Sequence, residues 1–445
     1  MIVALIGFVV AGARALGSRS GATGLLIHLT LFAVFSAGYL KTEFPLRFAL
    51  ALVIVLLGVS AAFGDPSKST RRRNLAIMLT LGSLVVAATV LTASNTLPGE
   101  LDVLFRYLVV LPAAFVVGTQ IAQKAVISVW IDAYRFWMLL FGVAAIVEFV
   151  TGRLFFEREG YIISLGTLTF RSLVLSEHSL GLATMLAAGV PYLWLITRRL
   201  HRVVALVVTG VAIWTTGSSG PMILFVLMIA ALLLARVGTH RPVVWARMLR
   251  WGTTVVLLGL VLVGTVLAYN REIIVTSTTD AASAQYRIAL YASVWPSLTE
   301  RPEGWGVTGI PEGLLLIPTA GRIIDLARTI DSEFVLLTLE FGWIGLLVCF
   351  ALVTLVFRPR ALVSPVGQSA LIITAAGFFL ALHAWLGLGT LWLLQLGLLY
   401  AVSRADPGVA PASPAEPALG VRPASVVRPA LRGASALAHR SKRAK

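Results

Sequence analysis

The chain has 445 residues, of which 58% are hydrophobic and only 13% are charged, and its formal net charge is +16. A soluble domain would have about half apolar and about a quarter charged residues, so this composition excludes a soluble globular protein. The basic excess does not indicate a nucleic-acid partner, because much of it lies in short loops and in the C-terminal tail, as the positive-inside rule predicts for a membrane protein.

Apolar runs long enough to cross a hydrocarbon core, about 17–25 residues each, recur along the chain. The alternating ten-residue pattern of a transmembrane barrel is absent from the sequence. The sequence therefore predicts an all-α polytopic membrane protein with about 12–13 transmembrane helices, of the glycosyltransferase C-like kind. The predicted segments are 1–15, 22–40, 45–64, 74–93, 103–121, 125–150, 178–197, 203–217, 218–235, 251–269, 332–356, 369–386 and 387–403.

Arginine-rich loops set the predicted topology, because Lys and Arg hold short loops on the cytoplasmic side. This arrangement places residues 94–102, 151–177 and 270–331 outside the cytoplasmic membrane. Residues 270–331 carry five arginines and seven acidic residues, so this loop lacks the cytoplasmic signature. The predicted parts are transmembrane helices over 1–269, an extracytoplasmic loop over 270–331, transmembrane helices over 332–403 and a disordered basic cytoplasmic tail over 404–445.

A polar segment of the large loop departs most from the lipid-adapted composition. In "QYRIALYASVW", Arg287, Tyr291 and Trp295 recur every four residues, which places them on one face of a predicted helix. Pro296 is expected to end that helix, because proline lacks the backbone N–H that a continuing helix needs.

These residues resemble the O-antigen ligase and polymerase family of membrane glycosyltransferases. The family shares an Arg, a Trp, a Pro and a Gly-x-Gly in a large outer loop, followed by a polar cap and a helix with Glu-x-Gly-x-x-Gly. Upstream it has an outer-loop Arg and a Ser-rich break between two helices. The matching residues here are Arg287, Trp295, Pro302, Gly304, Trp305, Gly306, Glu340, Gly342, Gly345, Arg171, Ser218 and Ser219. The resemblance covers about residues 165–356.

Two positions depart from the family pattern. The helix break has Ser219-Gly220 where the family usually has Ser-Arg, and the start of the later helix has Asp331-Ser332 where ligases typically have His-Asn. The missing His argues against a ligase-type general base and favours a polymerase or a divergent branch of the family.

The resemblance implies that a glycan is transferred from a polyprenyl-diphosphate donor to a glycan acceptor at the outer membrane face, in surface-polysaccharide polymerisation. A single displacement of the diphosphate would invert the anomeric configuration. Membrane lipid and other polysaccharide assembly proteins are the further partners implied. No cofactor or metal is expected, because the sequence has no Walker-type loop, no HExxH, no CxxC and no DxD-like pair in its outer loops.

Two alternatives stay open: ligation by the same family, and a lipid-linked glycan transporter (flippase). A transporter accounts for the many helices but not for a polar outer loop of 62 residues, since transporters place their sites near the bilayer midplane.

Arg171 and Arg287 are the candidate catalytic arginines. A diphosphate leaving group needs positive charge where negative charge develops, and the guanidinium binds phosphate oxygens bidentately while staying ionised. The alternative is that both are interfacial arginines reaching into lipid headgroups.

Asp331 is the candidate catalytic base for the acceptor hydroxyl. A carboxylate has an ordinary pKa of about 4, so burial or a neighbouring acid such as Glu333 would have to raise it. The alternative role for Asp331 is a helix N-cap. Glu333 is also a substrate-binding candidate, and His178 is either a substitute for the missing ligase His or a capping residue.

Aromatic residues of the loop are candidate sugar-stacking residues, with membrane-interface residues as an equal alternative. They are Tyr286, Tyr291, Trp295 and Trp305. Gly304 and Gly306 are substrate-binding candidates, because glycine permits tight turns and a close approach of the backbone to a ligand.

Other polar residues within apolar runs are expected to be structural. Glu340 and His383 should face the bundle interior, because a charged group in lipid is costly. Asp132 and Arg135 should form a local ion pair, being three residues apart on a helix.

Overall fold

A computed structural model of the chain describes residues 21–38, 106–122, 124–156, 170–237, 290–307, 310–311, 313, 316–319, 322–325, 330–358, 362–383 and 385–404. The predicted segments 1–15, 45–64, 74–93 and 251–269, residue Arg287 and the tail beyond Arg404 lie outside the described residues. The span count of 12–13 and the disordered tail therefore stay predictions.

Helices make up most of the described chain. They are α1 (Gly21–Phe35), α2 (Leu111–Ile121), α3 (Lys124–Thr151), α4 (Ser179–Ala188), α5 (Val190–Trp194), α6 (Arg199–Thr215), α7 (Ser219–Val237), α8 (Val294–Glu300), α9 (Glu333–Val356), α10 (Pro365–Ala376) and α11 (Leu386–Arg404). A π-helical turn, Arg106–Val110, precedes α2. Among the described residues, three helices are long and apolar enough to cross a membrane: Val126–Thr151, Glu333–Val356 and Leu386–Ser403.

The all-α polytopic prediction is confirmed, with one small addition. In the predicted outer loop, β1 (Leu316–Thr319) and β2 (Arg322–Asp325) pair antiparallel as a short hairpin. Helices dominate because a backbone in lipid must satisfy its own hydrogen bonds, which a helix does within one segment.

Several predicted boundaries are wrong for local reasons. The run 178–197 forms two helices that meet at Gly189, because Pro191 breaks the backbone hydrogen-bond ladder. The run 369–386 is helical only to Ala376, and an irregular segment, 377–385 without Ala384, follows. Pro296 does not end a helix; it lies in the first turn of α8, where its missing N–H costs nothing.

Many of the helices begin or end at one end of the bundle, which we call the loop end. Hydrogen bonds at this end join the segment before α4 to α6 (Ser172 N to Thr215 O, 3.1 Å) and the start of α9 to the end of α10 (Glu333 N to Gly377 O, 2.8 Å). Helix α6 begins at Arg199 and ends at Thr215, so its arginines lie about 25 Å from the loop end.

Helix α9 is not a straight rod. Gly342 has φ +56° and ψ −135°, which divides α9 into halves 333–341 and 343–356. Cys349 Sγ lies 3.9 Å from the carbonyl oxygen of Phe334, whereas in a straight helix a separation of fifteen residues would span about 22 Å. A Cβ at Gly345 would overlap the carbonyl oxygen of Leu337. The two halves therefore fold back on each other as a helical hairpin. Glu333–Val356 is long and apolar enough for a span by length and composition, but it is not one straight helix, and neither half alone has about 20 residues.

The loop 302–306 docks onto the turn of this hairpin through its backbone. Trp305 N donates to Leu339 O (2.8 Å), Gly306 N donates to Glu340 O (2.9 Å) and Trp343 N donates to Pro302 O (3.0 Å). The turn at Gly342 removes the helical hydrogen-bond partners of the Leu339 and Glu340 carbonyls, and buried backbone groups need partners. The N–H groups of the loop 302–306 supply these partners.

The docked turn predicts a large difference between two glycine substitutions. Gly342→Ala places a side chain at φ +56° and drives it into the carbonyl oxygen of Pro302. Gly152→Ala, a matched control, has φ +62° but nothing within 4 Å of the added Cβ. The control should cost about 1–2 kcal/mol of unfolding free energy at most, and Gly342→Ala clearly more, measured by thermal unfolding in detergent. Equal losses would contradict the docking.

Candidate functional site

Arg171 lies exposed at the break between α6 and α7. Its segment is fixed there by the hydrogen bond from Ser172 N to Thr215 O (3.1 Å). Its stem packs against Gly217, where an added Cβ would lie 3.1 Å from Arg171 Nε. Gly217 has φ +65°, a conformation that favours glycine and that ends α6 before Ser219 begins α7. The predicted Ser-rich break and the predicted outer-loop arginine are thus adjacent.

Several described helices begin at the loop end, and three of them have positive N-termini that are already occupied. His178 caps α4, the Glu177 carboxylate accepts from the Gly387 N–H near the start of α11 (3.0 Å), and Glu333 lies in the first turn of α9. Helix α7 has no acidic residue in its first turn, and Ser219 is exposed. The positive end of the helix dipole therefore remains available at α7, beside Arg171.

Arg171 makes no ion pair within the described residues, although buried glutamates lie at the same end of the bundle. These glutamates bond mainly to backbone N–H groups, to a tyrosine hydroxyl and to a histidine. They are Glu148, Glu177, Glu333 and Glu340. The charge of Arg171 is consequently free to meet a ligand.

His178 occupies the capping position that was its alternative role. Its Nδ1 accepts from the Leu180 N–H (3.1 Å), and its ring packs on Trp385 with centroids 5.2 Å apart.

Asp331 is exposed immediately before α9, but it is not the N-cap that the sequence suggested as its alternative role. The cap is Ser332, whose side chain accepts from the Val335 N–H (3.5 Å). The cap moves one residue because α9 starts at Glu333 rather than at Ser332.

Glu333 faces the protein interior and is completely buried. Its carboxylate lies 2.8 Å from His383 Nδ1 and accepts from the His383 N–H (3.0 Å). Glu333 has no exposed surface with which to bind a substrate. Its contacts with His383 instead hold the irregular segment 377–385 at the start of α9.

The interior roles predicted for Glu340 and His383 are confirmed. Tyr107 donates its hydroxyl to Glu340 Oε2 (2.6 Å), and its ring lies on that of His383 with centroids 4.7 Å apart. The predicted ion pair of Asp132 and Arg135 is also present, at 2.9 Å.

The loop aromatics have different environments. Trp295 is 64% exposed and meets Trp343 edge-on, with ring centroids 6.1 Å apart. Trp305 is buried beneath the guanidinium of Arg301, which lies 4.2 Å from its ring centroid. Trp295 therefore offers an open ring for stacking, whereas Trp305 is covered.

Tyr291 is anchored to the protein through hydrogen bonds of its hydroxyl group. The hydroxyl donates to the Phe378 carbonyl (2.6 Å) and lies 3.0 Å from Ser332 Oγ. A helical turn, 290–292, precedes α8, and Ser293 between them keeps helical dihedral angles (φ −75°, ψ −18°).

Gly304 and Gly306 both have φ near +90° and make their close approach to a helix. A Cβ at Gly304 would overlap the carbonyl oxygen of Glu340, and Gly306 N donates to the same oxygen. The close contact anticipated for a ligand is thus made with α9.

Sequence reasoning missed Glu148, and it placed Glu177 at the start of a membrane helix on the outer side without assigning it a role in the site. Both are glutamates at the ends of apolar runs, and a charged residue at such a position signals a buried partner or a functional site. Among the described residues, no group of three metal-binding side chains could hold a metal ion.

A hydroxyl deletion tests the structural part played by Tyr291. Tyr291→Phe should lower the unfolding free energy in detergent by about 1 kcal/mol, because the partly buried Phe378 carbonyl loses its donor. Trp295→Phe, the control on an exposed ring, should change it little. Equal stability of Tyr291→Phe and the wild type would mean that the hydroxyl holds nothing.

Comparison with known families agrees with this geometry. Residues 204–351 match a family model described as O-antigen ligase, a range that contains the α6–α7 break, the docked loop and the α9 hairpin. No curated protein matches the chain. The resemblance predicted from the sequence is confirmed over residues 204–351, which are similar to the O-antigen ligase family model.

Proposed function

We propose that this protein transfers a glycan from a polyprenyl-diphosphate donor to a glycan acceptor at the outer membrane face, in the polymerisation of an O-antigen-type surface polysaccharide. The match of residues 204–351 to the O-antigen ligase family model supports glycan transfer in general. The proposals for the donor, the membrane face and the chemistry rest on the geometry of the loop end.

The position of Arg171 carries the proposal. A leaving diphosphate gathers negative charge on oxygens that a guanidinium can bind through two hydrogen bonds. Arg171 is exposed, has no ion-pair partner within the described residues, and lies beside the open N-terminus of α7. Helix N-termini attract phosphate groups through their free N–H groups and their dipole. Together these two features form a cradle for one phosphate-bearing ligand.

The charge distribution along the bundle supports an outward-facing site. Arg198, Arg199 and Arg202 lie at the start of α6, about 25 Å from Arg171. Since Lys and Arg hold short loops in the cytoplasm, the loop end is expected to face outside. Helix α11 begins at the loop end and ends at Arg404, which is consistent with a cytoplasmic C-terminal tail.

Asp331 is the residue we assign as base. It is exposed at the start of α9, which the Glu333–His383 contact joins to segment 377–385. That segment continues to Gly387, whose N–H is held by Glu177 of the Arg171 segment. In the proposed step the acceptor hydroxyl attacks the anomeric carbon, its proton passes to Asp331 and the diphosphate leaves toward Arg171. One displacement inverts configuration and needs no cofactor. Arg287 is proposed as a second cation on the diphosphate.

A ligase activity is the second candidate, because the matched family model is itself described as O-antigen ligase. Asp331-Ser332 in place of the ligase-type His-Asn favours the polymerase. A flippase would place its site near the midplane, whereas the candidate residues here lie at one end of the bundle.

The proposal predicts a large loss of transfer when the Arg171 guanidinium is removed. Arg171→Ala should lower the rate about 100-fold or more, as loss of a charge-stabilising donor does. Arg171→Lys should retain part of it, because the charge stays but the bidentate geometry is lost. The assay is purified protein in vesicles with lipid-linked oligosaccharide, read as new glycan length on gels.

Arg153→Ala is the matched control, since Arg153 is an exposed arginine just after α3 at the same end of the bundle. It should keep wild-type activity. Full activity of Arg171→Ala would overturn the proposal. Longer lipid-linked chains indicate a polymerase, glycan on a separate lipid acceptor indicates a ligase, and movement across the bilayer without a new linkage indicates a transporter.

A further inference from the structure

Glu148 is a completely buried carboxylate near the C-terminus of α3. Burying a carboxylate is costly unless hydrogen bonds compensate the charge. Here both oxygens are used: Oε2 accepts from the N–H groups of Leu173 and Val174 (2.8 Å each), and Oε1 accepts from the Phe155 N–H (2.9 Å). No cationic side chain among the described residues pairs with Glu148.

Two of these three donors follow Arg171 almost directly in the chain. Ser172, which lies between Arg171 and Leu173, is also fixed by hydrogen bonds. Its N–H donates to Thr215 O (3.1 Å), and its hydroxyl donates to Ala145 O (2.7 Å). Every residue from 172 to 174 is thus bonded through its backbone to α3 or to the end of α6.

Val174 has φ +53°, the one positive φ of a non-glycine residue within the described chain. A β-branched residue in this conformation is strained and persists only where surrounding contacts impose it. The hydrogen bond from its own N–H to Glu148 is such a contact. Without it the segment would relax to an ordinary conformation, and the direction in which Arg171 leaves the segment would change.

We infer that Glu148 is a positioning residue that holds Arg171 against the N-terminus of α7. It does not touch the donor; it fixes the backbone from which the guanidinium extends. The inference rests on the proposed function for its catalytic consequence, because a misplacement of about 1 Å of a catalytic group can cost about 100-fold in rate.

Hydrogen exchange tests the structural half without any substrate. In Glu148→Gln the acceptor loses its charge and one of its two oxygens, which weakens the hydrogen bonds from Leu173 and Val174. Their N–H groups should therefore exchange at least tenfold faster in peptides that cover 171–176. Asp132→Asn, an exposed position of the same helix, should leave that exchange unchanged. Unchanged exchange in Glu148→Gln would overturn the inference.

A double-mutant cycle tests the catalytic half. Glu148→Gln alone should lower kcat about tenfold or more with little change in the KM for lipid-linked donor, since the lost alignment matters at the leaving group. In an Arg171→Ala background the same substitution should cost less than twofold, because residues that act through one another are not additive. A full, multiplicative loss in that background would mean that Glu148 supports the fold generally, and would overturn the inference.

If Glu148→Gln does not insert as a folded protein, Glu148→Asp keeps the carboxylate with a shorter reach and enters the same cycle with the same expectations. If Arg171→Ala alone retains full activity, the proposed function fails, while the exchange result still decides whether Glu148 holds the segment.

Discussion

Hydrogen bonding of irregular backbone by buried glutamates is the interaction on which the loop end depends. Helices satisfy their own backbone in lipid, but each break between helices leaves N–H groups that cost several kcal/mol when buried alone. Three carboxylates accept such groups from other segments. Glu148 serves residues 155, 173 and 174, Glu177 serves Gly387, and Glu333 serves His383. These hydrogen bonds stabilise the breaks between the helices. They also offset part of the cost of burying each carboxylate.

The glycines of the family pattern follow from the same constraint, applied to carbonyl groups. Gly342 turns α9 back on itself and exposes the carbonyls of Leu339 and Glu340, and the loop 302–306 covers them through its N–H groups. Gly304 lets the two backbones meet, because any side chain there would overlap Glu340. The Gly-x-Gly and the Glu-x-Gly-x-x-Gly, distant in sequence, are the two halves of one contact.

The sequence predicted what depends on local chemistry. Helices in the apolar runs, the Asp132–Arg135 pair and the interior positions of Glu340 and His383 follow from composition and spacing. The α9 hairpin does not, because 333–356 is apolar on both sides of Gly342 and hydropathy alone cannot detect a reversal. The partner of Glu148 was equally inaccessible, since it lies 25 residues away and beyond a helix end.

The way in which these carboxylates are neutralised is compatible with the proposed binding of an anionic donor at the loop end. Four buried glutamates there would oppose a diphosphate if their charges were bare. Backbone N–H groups, the Tyr107 hydroxyl and His383 compensate the charges of these glutamates locally. Within the described residues, no arginine forms an ion pair with them. The same carboxylates and His178 occupy the N-termini of α4, α9 and α11, whereas α7 has no acidic residue in its first turn. In the proposed function the anionic donor binds at Arg171 and Ser219, and the position of Arg171 is set by groups that do not contact the donor.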